Sequence, residues 1–316
     1  MQTQHYQLNR IGTLAVLAVA MSWTMVTALT DEHPPAGTGE LDRAGTLWEP
    51  YVEWSLENPS WSGNPFDLEA SATFTHGDSG ERRTTPMFHD GGDTWKFRFT
   101  ATRTGTWSVR TSSADADLDS KRGTITVRNN PDARARGFIV AHENKYAWQV
   151  GEDGQLRAFM PNVYMNYRRF GNQNACGWTA MTPTFSDPDV LQAYLDEAEA
   201  HGCNAIQALI CNQWFHAGAA SSRDHQSENP DPETFTALER AIVKAHSRGM
   251  HLHIWAWGDE QRGWTPIGVG GVNGVPDRRV QRYLAARLGP VPGWTMSYGF
   301  DLNEWVRPEQ VLSWAN

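Results

Sequence analysis

Between Leu47 and Val127 apolar and polar residues alternate in short runs, YVEWSLE, FDLEASATFTH, TWKFRFTA, GTWSVRTSS and GTITVRN. A period of two, broken by Gly, Asp, Asn and Pro, predicts half-buried antiparallel strands. Turn signals recur every ten residues or so, which predicts an all-β, immunoglobulin-like sandwich over residues 44–130. Past NNPDARARG the period changes. A hairpin around Glu152-Asp153-Gly154 leads into an apolar strand near Leu156–Val163, and helical and strand patterns then alternate.

DPDVLQAYLDEAEAHG has an Asp-Pro start, apolar positions Val190, Leu191, Tyr194 and Leu195, and a glycine stop at Gly202, so it predicts a helix. NPDPETFTALERAIVKAHSRG and VPDRRVQRYLAARLG predict two more, and CNAIQALI, MHLHIWAW and GWTMSYGF predict buried strands between and after them. Strand and helix at this spacing imply parallel strands with right-handed crossovers. No glycine-rich phosphate loop follows any strand, which argues against a nucleotide-binding sheet. Instead the strands end in polar and aromatic residues, NVYMNYRRF, CNQWFH, WAWGDE and DLNEWV, as on the active face of a (β/α)8 barrel. The expected fold is therefore multidomain, with an N-terminal immunoglobulin-like β-sandwich. The first half of a (β/α)8 TIM barrel, about four βα units over residues 137–316, would follow.

Half a barrel leaves two unpaired edges and an open apolar interior. The expectation is that the chain is a fragment of a longer protein whose continuation supplies the remaining units, the alternative being that the half barrel pairs with something else. At the other end, MQTQHYQLNR carries Arg10 and His5 without an acidic residue, and the apolar IGTLAVLAVAM follows. Small residues at Val26-Thr27-Ala28 suit a signal peptidase, so residues 1–28 read as a signal peptide and 29–43 as a polar linker. A secreted or periplasmic, extracytoplasmic location follows, with no stable membrane association after cleavage. An uncleaved anchor is the alternative, disfavoured by the short, interrupted apolar run.

Composition changes the picture in three places. A formal charge of −9 argues against nucleic acid or an anionic membrane surface as partner. Fifteen tryptophans suggest flat platforms of the kind that stack on sugar rings, although β-rich cores use Trp as well. Of the three cysteines, Cys203 and Cys211 would lie at opposite ends of one strand, roughly 25 Å apart, too far to pair. Cys176 and Cys211 could share one end of a sheet. No metal-ligand spacing is present, and no cofactor is expected.

The strand-terminal Asn303-Glu304, directly before Trp305, resembles the Asn-Glu signature that ends the fourth strand in the clan of retaining (β/α)8 glycoside hydrolases. WEPYVEWSLE, NPF, HDGGDTWKFRFTATRTGTWSVRTSS and RGFIV resemble the immunoglobulin-like domain of unknown function that precedes glycosidase-type barrels in secreted bacterial proteins. Apiosidase-like and collagenase-associated barrels are the relatives indicated. The resemblance implies a carbohydrate substrate, with Glu304 as the catalytic acid/base and Asn303 as a contact to the sugar 2-OH.

Retaining hydrolysis needs two carboxyl groups about 5–5.5 Å apart, and an aromatic-lined pocket raises the pKa of the proton donor. Trp305, Trp255, Trp257, Trp214 and Asn212 stand at or beside strand tips as candidate sugar contacts. Gln213, Asp259 and Glu260 are further hydrogen-bonding candidates there. In the clan the nucleophile ends the seventh strand, which this chain does not contain, so the chain alone is expected to be inactive.

His251 and His253 share a strand face at i and i+2 without an evident third ligand, so packing is expected rather than metal binding. The glycine-rich GWTPIGVGGVNG has no Lys-Ser/Thr partner and reads as a rim loop. The competing expectation is a non-catalytic carbohydrate- or surface-binding protein.

Overall fold

The computed structural model describes residues 41–152, 155–170, 184–217, 227–261 and 263–315. The expected signal peptide over residues 1–28, most of the expected linker, and Cys176 with its possible partnership with Cys211 lie outside these residues.

Eight strands come first: β1 (Arg43–Thr46), β2 (Val52–Glu57), β3 (Ala70–His76), β4 (Arg82–Pro86), β5 (Phe88–His89), β6 (Thr94–Phe99), β7 (Gly105–Ser113) and β8 (Arg122–Arg128). They form a five-stranded sheet ordered β1-β8-β7-β3-β4 and a three-stranded sheet ordered β2-β6-β5. Alternation drives the packing, since every second residue of β3 is buried and Trp107, Val109 and Thr111 of β7 point inward. Trp54 stacks on Phe97 at 5.2 Å, and Phe74 on Phe99 at 4.1 Å, so aromatic faces from the two sheets close one core.

A three-stranded antiparallel sheet follows, made of β9 (Ile139–His142), β10 (Lys145–Val150) and β11 (Gln155–Phe159). Then β12 (Val163–Tyr164), β13 (Ala205–Leu209), β14 (His251–Trp257) and β15 (Trp294–Gly299) pair in parallel, in that order. Helices α1 (Pro188–Ala200), α2 (Pro232–Ser247) and α3 (Val275–Arg287) connect them, and α4 (Pro308–Ala315) follows β15. Asp187 and Asp231 cap α1 and α2, Asp187 accepting from the N–H groups of Asp189 and Val190 and Asp231 from that of Glu233, with Pro next in line where its missing donor costs nothing.

The expected immunoglobulin-like sandwich followed by half a TIM barrel is corrected by this arrangement. The protein is a mixed α/β structure of several sheets, with four α-helices among the described residues. Its parallel sheet is open, and β1 runs parallel to β8, so the five-stranded sheet is itself mixed. Alternation identifies strands but not the sheets they join or what covers them. Residues Thr38–Asn316 form one compact unit, and Phe88 of β5 belongs to the same apolar cluster as α1, α2 and β13–β15.

Charged groups join the β-rich half to the helices. Arg98 of β6 is buried and contacts Glu53 of β2 at 2.7 Å and Glu239 of α2 at 2.9 Å. It also donates to the Arg287 carbonyl at 2.9 Å, and its guanidinium lies 4.1 Å from the centre of the Tyr51 ring. Arg287 contacts Glu239 at 3.2 Å and Asp90 at 3.6 Å, and Lys96 bridges Glu53 and Asp90. Three cations thus face three carboxylates, a balance that buried charge requires. Tyr51 donates to Glu239, and burial pushes its phenol pKa upward.

Buried histidines give the fold an acid limit. Burial lowers the pKa of both His246 and His251 to about 4, so each is neutral in the folded chain at pH values where the unfolded chain takes up protons. Their contribution to stability is complete above about pH 6.5 and is lost as pH falls toward 4. Urea unfolding between pH 6.5 and 5, above the carboxylate range, is expected to show stability falling with pH. The limiting slope is about 1.4 kcal/mol per pH unit for each such histidine. A flat profile across that window would contradict the burial assigned to these rings.

Candidate active site

The C-terminal ends of β13, β14 and β15 lie along one edge of the parallel sheet, and each continues into a short irregular segment. Leu209 leads into a 3-10 turn at Cys211–Trp214, and Trp257 into Gly258, Asp259, Glu260 and Gln261. Gly299 is followed by Phe300, Asp301 and a second 3-10 turn, Leu302–Glu304. The strand therefore stops before Asn303-Glu304. Asp301 adopts φ 51°, a left-handed conformation that Asp tolerates better than most residues, and this turns the chain out of the sheet. Gly299 permits the turn to fold back, because a Cβ there would stand 2.9 Å from the Trp305 ring.

Glu304 is solvent-exposed, and its Oε1 accepts a long hydrogen bond of 3.4 Å from Gln261 Nε2. The segment after β14 and the turn after β15 meet at this contact. Asn303 beside it is exposed as well. Trp305 is half-buried, 5.7 Å from the Tyr298 ring, with its indole N–H directed to the Phe300 carbonyl at 3.4 Å. Trp255 is also half-buried, donates to Gln207 Oε1 at 3.2 Å, and has Phe300 5.7 Å away.

Two of the tryptophans expected to stack on sugars have no ring face open to a ligand. Trp214 is fully buried and donates to the Ala256 carbonyl at 2.9 Å. Trp257, 1% exposed, donates to Asp277 Oδ1 at 3.3 Å. Both stand at strand ends but pack into the helix-side core, because a strand-end position does not reveal on which face the side chain lies. Asn212, Gln213 and Asp259 are likewise buried, whereas Glu260 is exposed. Glu304, Asn303 and Trp305 thus stand in or directly after the turn that follows β15, and Trp255 stands on β14, all at least partly exposed, whereas Trp214, Trp257 and Asn212 are buried.

Asp277 anchors this edge. Its carboxylate is buried and accepts from Tyr298 OH at 2.8 Å, Asn273 N at 2.8 Å, Gln281 Nε2 at 3.0 Å and Trp257 Nε1. These bonds tie the ends of β14 and β15 to the first turn of α3, and burial raises the Asp277 pKa despite them. Asp277→Ala strands several buried donors at about 1–3 kcal/mol each. A loss of at least about 3 kcal/mol in chemical unfolding is expected, and a loss below 1 kcal/mol would contradict the anchoring role.

Sequence reading missed Gln261, Phe300, Gln207, Thr295 and Ser297. The last two were visible as polar residues at i and i+2 in GWTMSYGF, opposite the two histidines of MHLHIWAW.

Residues 46–114 match a family described as a domain of unknown function, DUF5060. The DUF5060 segment runs from the end of β1 through β7 and carries Arg98, Glu53 and Tyr51 of the buried charge cluster. No curated protein matches the chain.

Among solved structures, the chain is similar to a Bacteroides vulgatus protein described as a "putative glycoside hydrolase". Identity is 21%, the TM-score is 0.62, and the match covers 83% of this chain and 50% of that one. The chain thus spans about half the length of that structure, and the likeness is one of fold. A Bacteroides ovatus GH5 xyloglucanase bound to a XXXG heptasaccharide also matches, at 12% identity, TM-score 0.22, and 86% and 57% coverage. An Anoxybacillus pullulanase bound to maltotriose matches at 10% identity, TM-score 0.17, and 68% and 34% coverage. Superposition at these two scores carries no argument.

Proposed function

We propose that the protein is a glycoside hydrolase acting on an oligo- or polysaccharide, with Glu304 as the general acid/base. The observation that carries this is the meeting of two strand-end segments at Gln261 and Glu304, with the partly exposed Trp255 on one of those strands and Trp305 directly after Glu304. A carboxyl group at that edge can protonate a glycosidic oxygen, while aromatic faces hold the apolar side of a sugar ring. Gln261 donates to one carboxylate oxygen of Glu304. Asn303, adjacent and exposed, is placed to hydrogen-bond a sugar hydroxyl. The likeness in fold to the Bacteroides vulgatus protein described as a glycoside hydrolase supports the same class of chemistry.

Retention of anomeric configuration, a second carboxyl group as nucleophile, and an extracytoplasmic setting reached through residues 1–28 all belong to this proposal. The test is release of new reducing ends from cello-, xylo-, manno- and malto-oligosaccharides by the natural gene product. Turnover of at least one is expected. Sugar binding without turnover of any would instead favour a carbohydrate-binding protein.

A further inference from the structure

The face of the parallel sheet opposite the helices carries a row of polar groups. The register pairs Gln207 with His253 and His253 with Thr295, and one step further along it pairs Leu209 with Trp255 and Trp255 with Ser297. Register partners in a parallel sheet project to the same side, so these residues line one surface. A parallel sheet covered on both faces reads as continuous apolar sequence, and this face departs from that pattern.

Its groups form a connected chain. His251 Nε2 lies 2.6 Å from Thr295 Oγ1, His253 Nδ1 lies 2.8 Å from the same oxygen, and His253 Nε2 lies 3.1 Å from Ser297 Oγ. His251 Nδ1 is buried without a partner among the described residues.

That orphan nitrogen sets the direction of the chain. A buried N–H without an acceptor is rarer than an unmatched acceptor, so His251 carries its proton on Nε2 and donates to Thr295. Thr295 has one hydroxyl hydrogen, which then goes to His253 Nδ1. If both histidines donated to Thr295, its hydrogen would be left without an acceptor. His253 therefore donates from Nε2 to Ser297, and the Ser297 hydroxyl hydrogen is the free end of the relay. Ser297 is only half-buried, and its register partner Trp255 is partly exposed as well.

We propose that Ser297 and Trp255 form a sugar-binding subsite, in which Ser297 Oγ donates to a ligand hydroxyl oxygen and Trp255 stacks on the ring. Thr295, His253 and His251 are positioning residues that fix the direction of that hydroxyl. The class of ligand rests on the glycosidase function proposed above.

Two measurements test it. Long-range 1H–15N correlation on protein labelled at histidine is expected to find both His251 and His253 as Nε2–H tautomers. An Nδ1–H tautomer at His253 would overturn the relay. Calorimetric titration with cellotetraose, xylotetraose, mannotetraose and maltotetraose is expected to show binding of at least one. Ser297→Ala and Thr295→Val should each weaken it about tenfold, the scale of one lost hydrogen bond, and Thr295→Ser should restore it.

Binding unchanged in both Ser297→Ala and Thr295→Val overturns the subsite, as does failure of every probe to bind. If those variants bind normally while Glu304→Gln loses turnover, only the subsite falls. If binding depends on Ser297 but no sugar is hydrolysed, the subsite stands and the hydrolase function falls.

Discussion

Replacing Arg98 by alanine is expected to lower the stability of the chain by about 3–5 kcal/mol, the scale set by removing one member of a buried ion pair. The guanidinium is almost fully buried and lies between Glu53 and Glu239, whose side chains are only 8% and 16% exposed. Alanine leaves both carboxylates without their nearest cation in a largely buried region. Lysine is expected to recover part of the loss, because it restores charge but neither the fork geometry nor the contact with the Tyr51 ring. The cluster crosses from the DUF5060 segment to α2 and α3, so the variant should shift one unfolding transition rather than split it. Urea unfolding followed by tryptophan fluorescence reads both quantities. A loss below 1 kcal/mol, or two transitions in the wild type, would show that the halves do not depend on this contact.

In the natural gene product, Glu304→Gln is expected to reduce hydrolysis of unactivated oligosaccharides by roughly 100- to 10,000-fold, the contribution of a positioned general acid. Glutamine keeps the shape and cannot donate a carboxyl proton. Because Glu304 is exposed and its one side-chain contact described is the 3.4 Å bond to Gln261, the change should leave stability within about 0.5 kcal/mol of wild type. Activity and folding are thereby separated in one variant. Arg98→Ala does the reverse, acting on the fold at a distance from the sheet edge.

Local signals located the elements well. Asp-Pro pairs marked the starts of α1 and α2, glycine marked the ends, and the strands β13, β14 and β15 were legible as apolar runs between helices. What local signals could not supply was partnership. RAGT gives no hint that β1 pairs in parallel with β8, and nothing in TWKFRFTA shows Arg98 turning into the protein to meet a helix some 140 residues later. That partnership is what replaces a separable sandwich by one compact unit. At the site, tryptophans were chosen by their place at strand ends. Trp255 and Trp257 stand two residues apart, where the pleat alone would put both on one face, yet at the strand end Trp257 turns to Asp277 while Trp255 stays partly exposed. Asn303-Glu304 read as a strand tip, yet the strand ends at Gly299 because the left-handed Asp301 turns the backbone away.

The assignment of Glu304 as proton donor is tested most directly by varying the leaving group. A 2,4-dinitrophenyl glycoside departs without protonation, whereas an oligosaccharide needs a proton on the glycosidic oxygen. Wild type and Glu304→Gln should be compared on both substrates, in the natural gene product. The variant is expected to lose roughly 100-fold or more in kcat/KM on the oligosaccharide and far less on the aryl glycoside. Equal losses on the two substrates, or no loss on the oligosaccharide, would contradict the role given to Glu304.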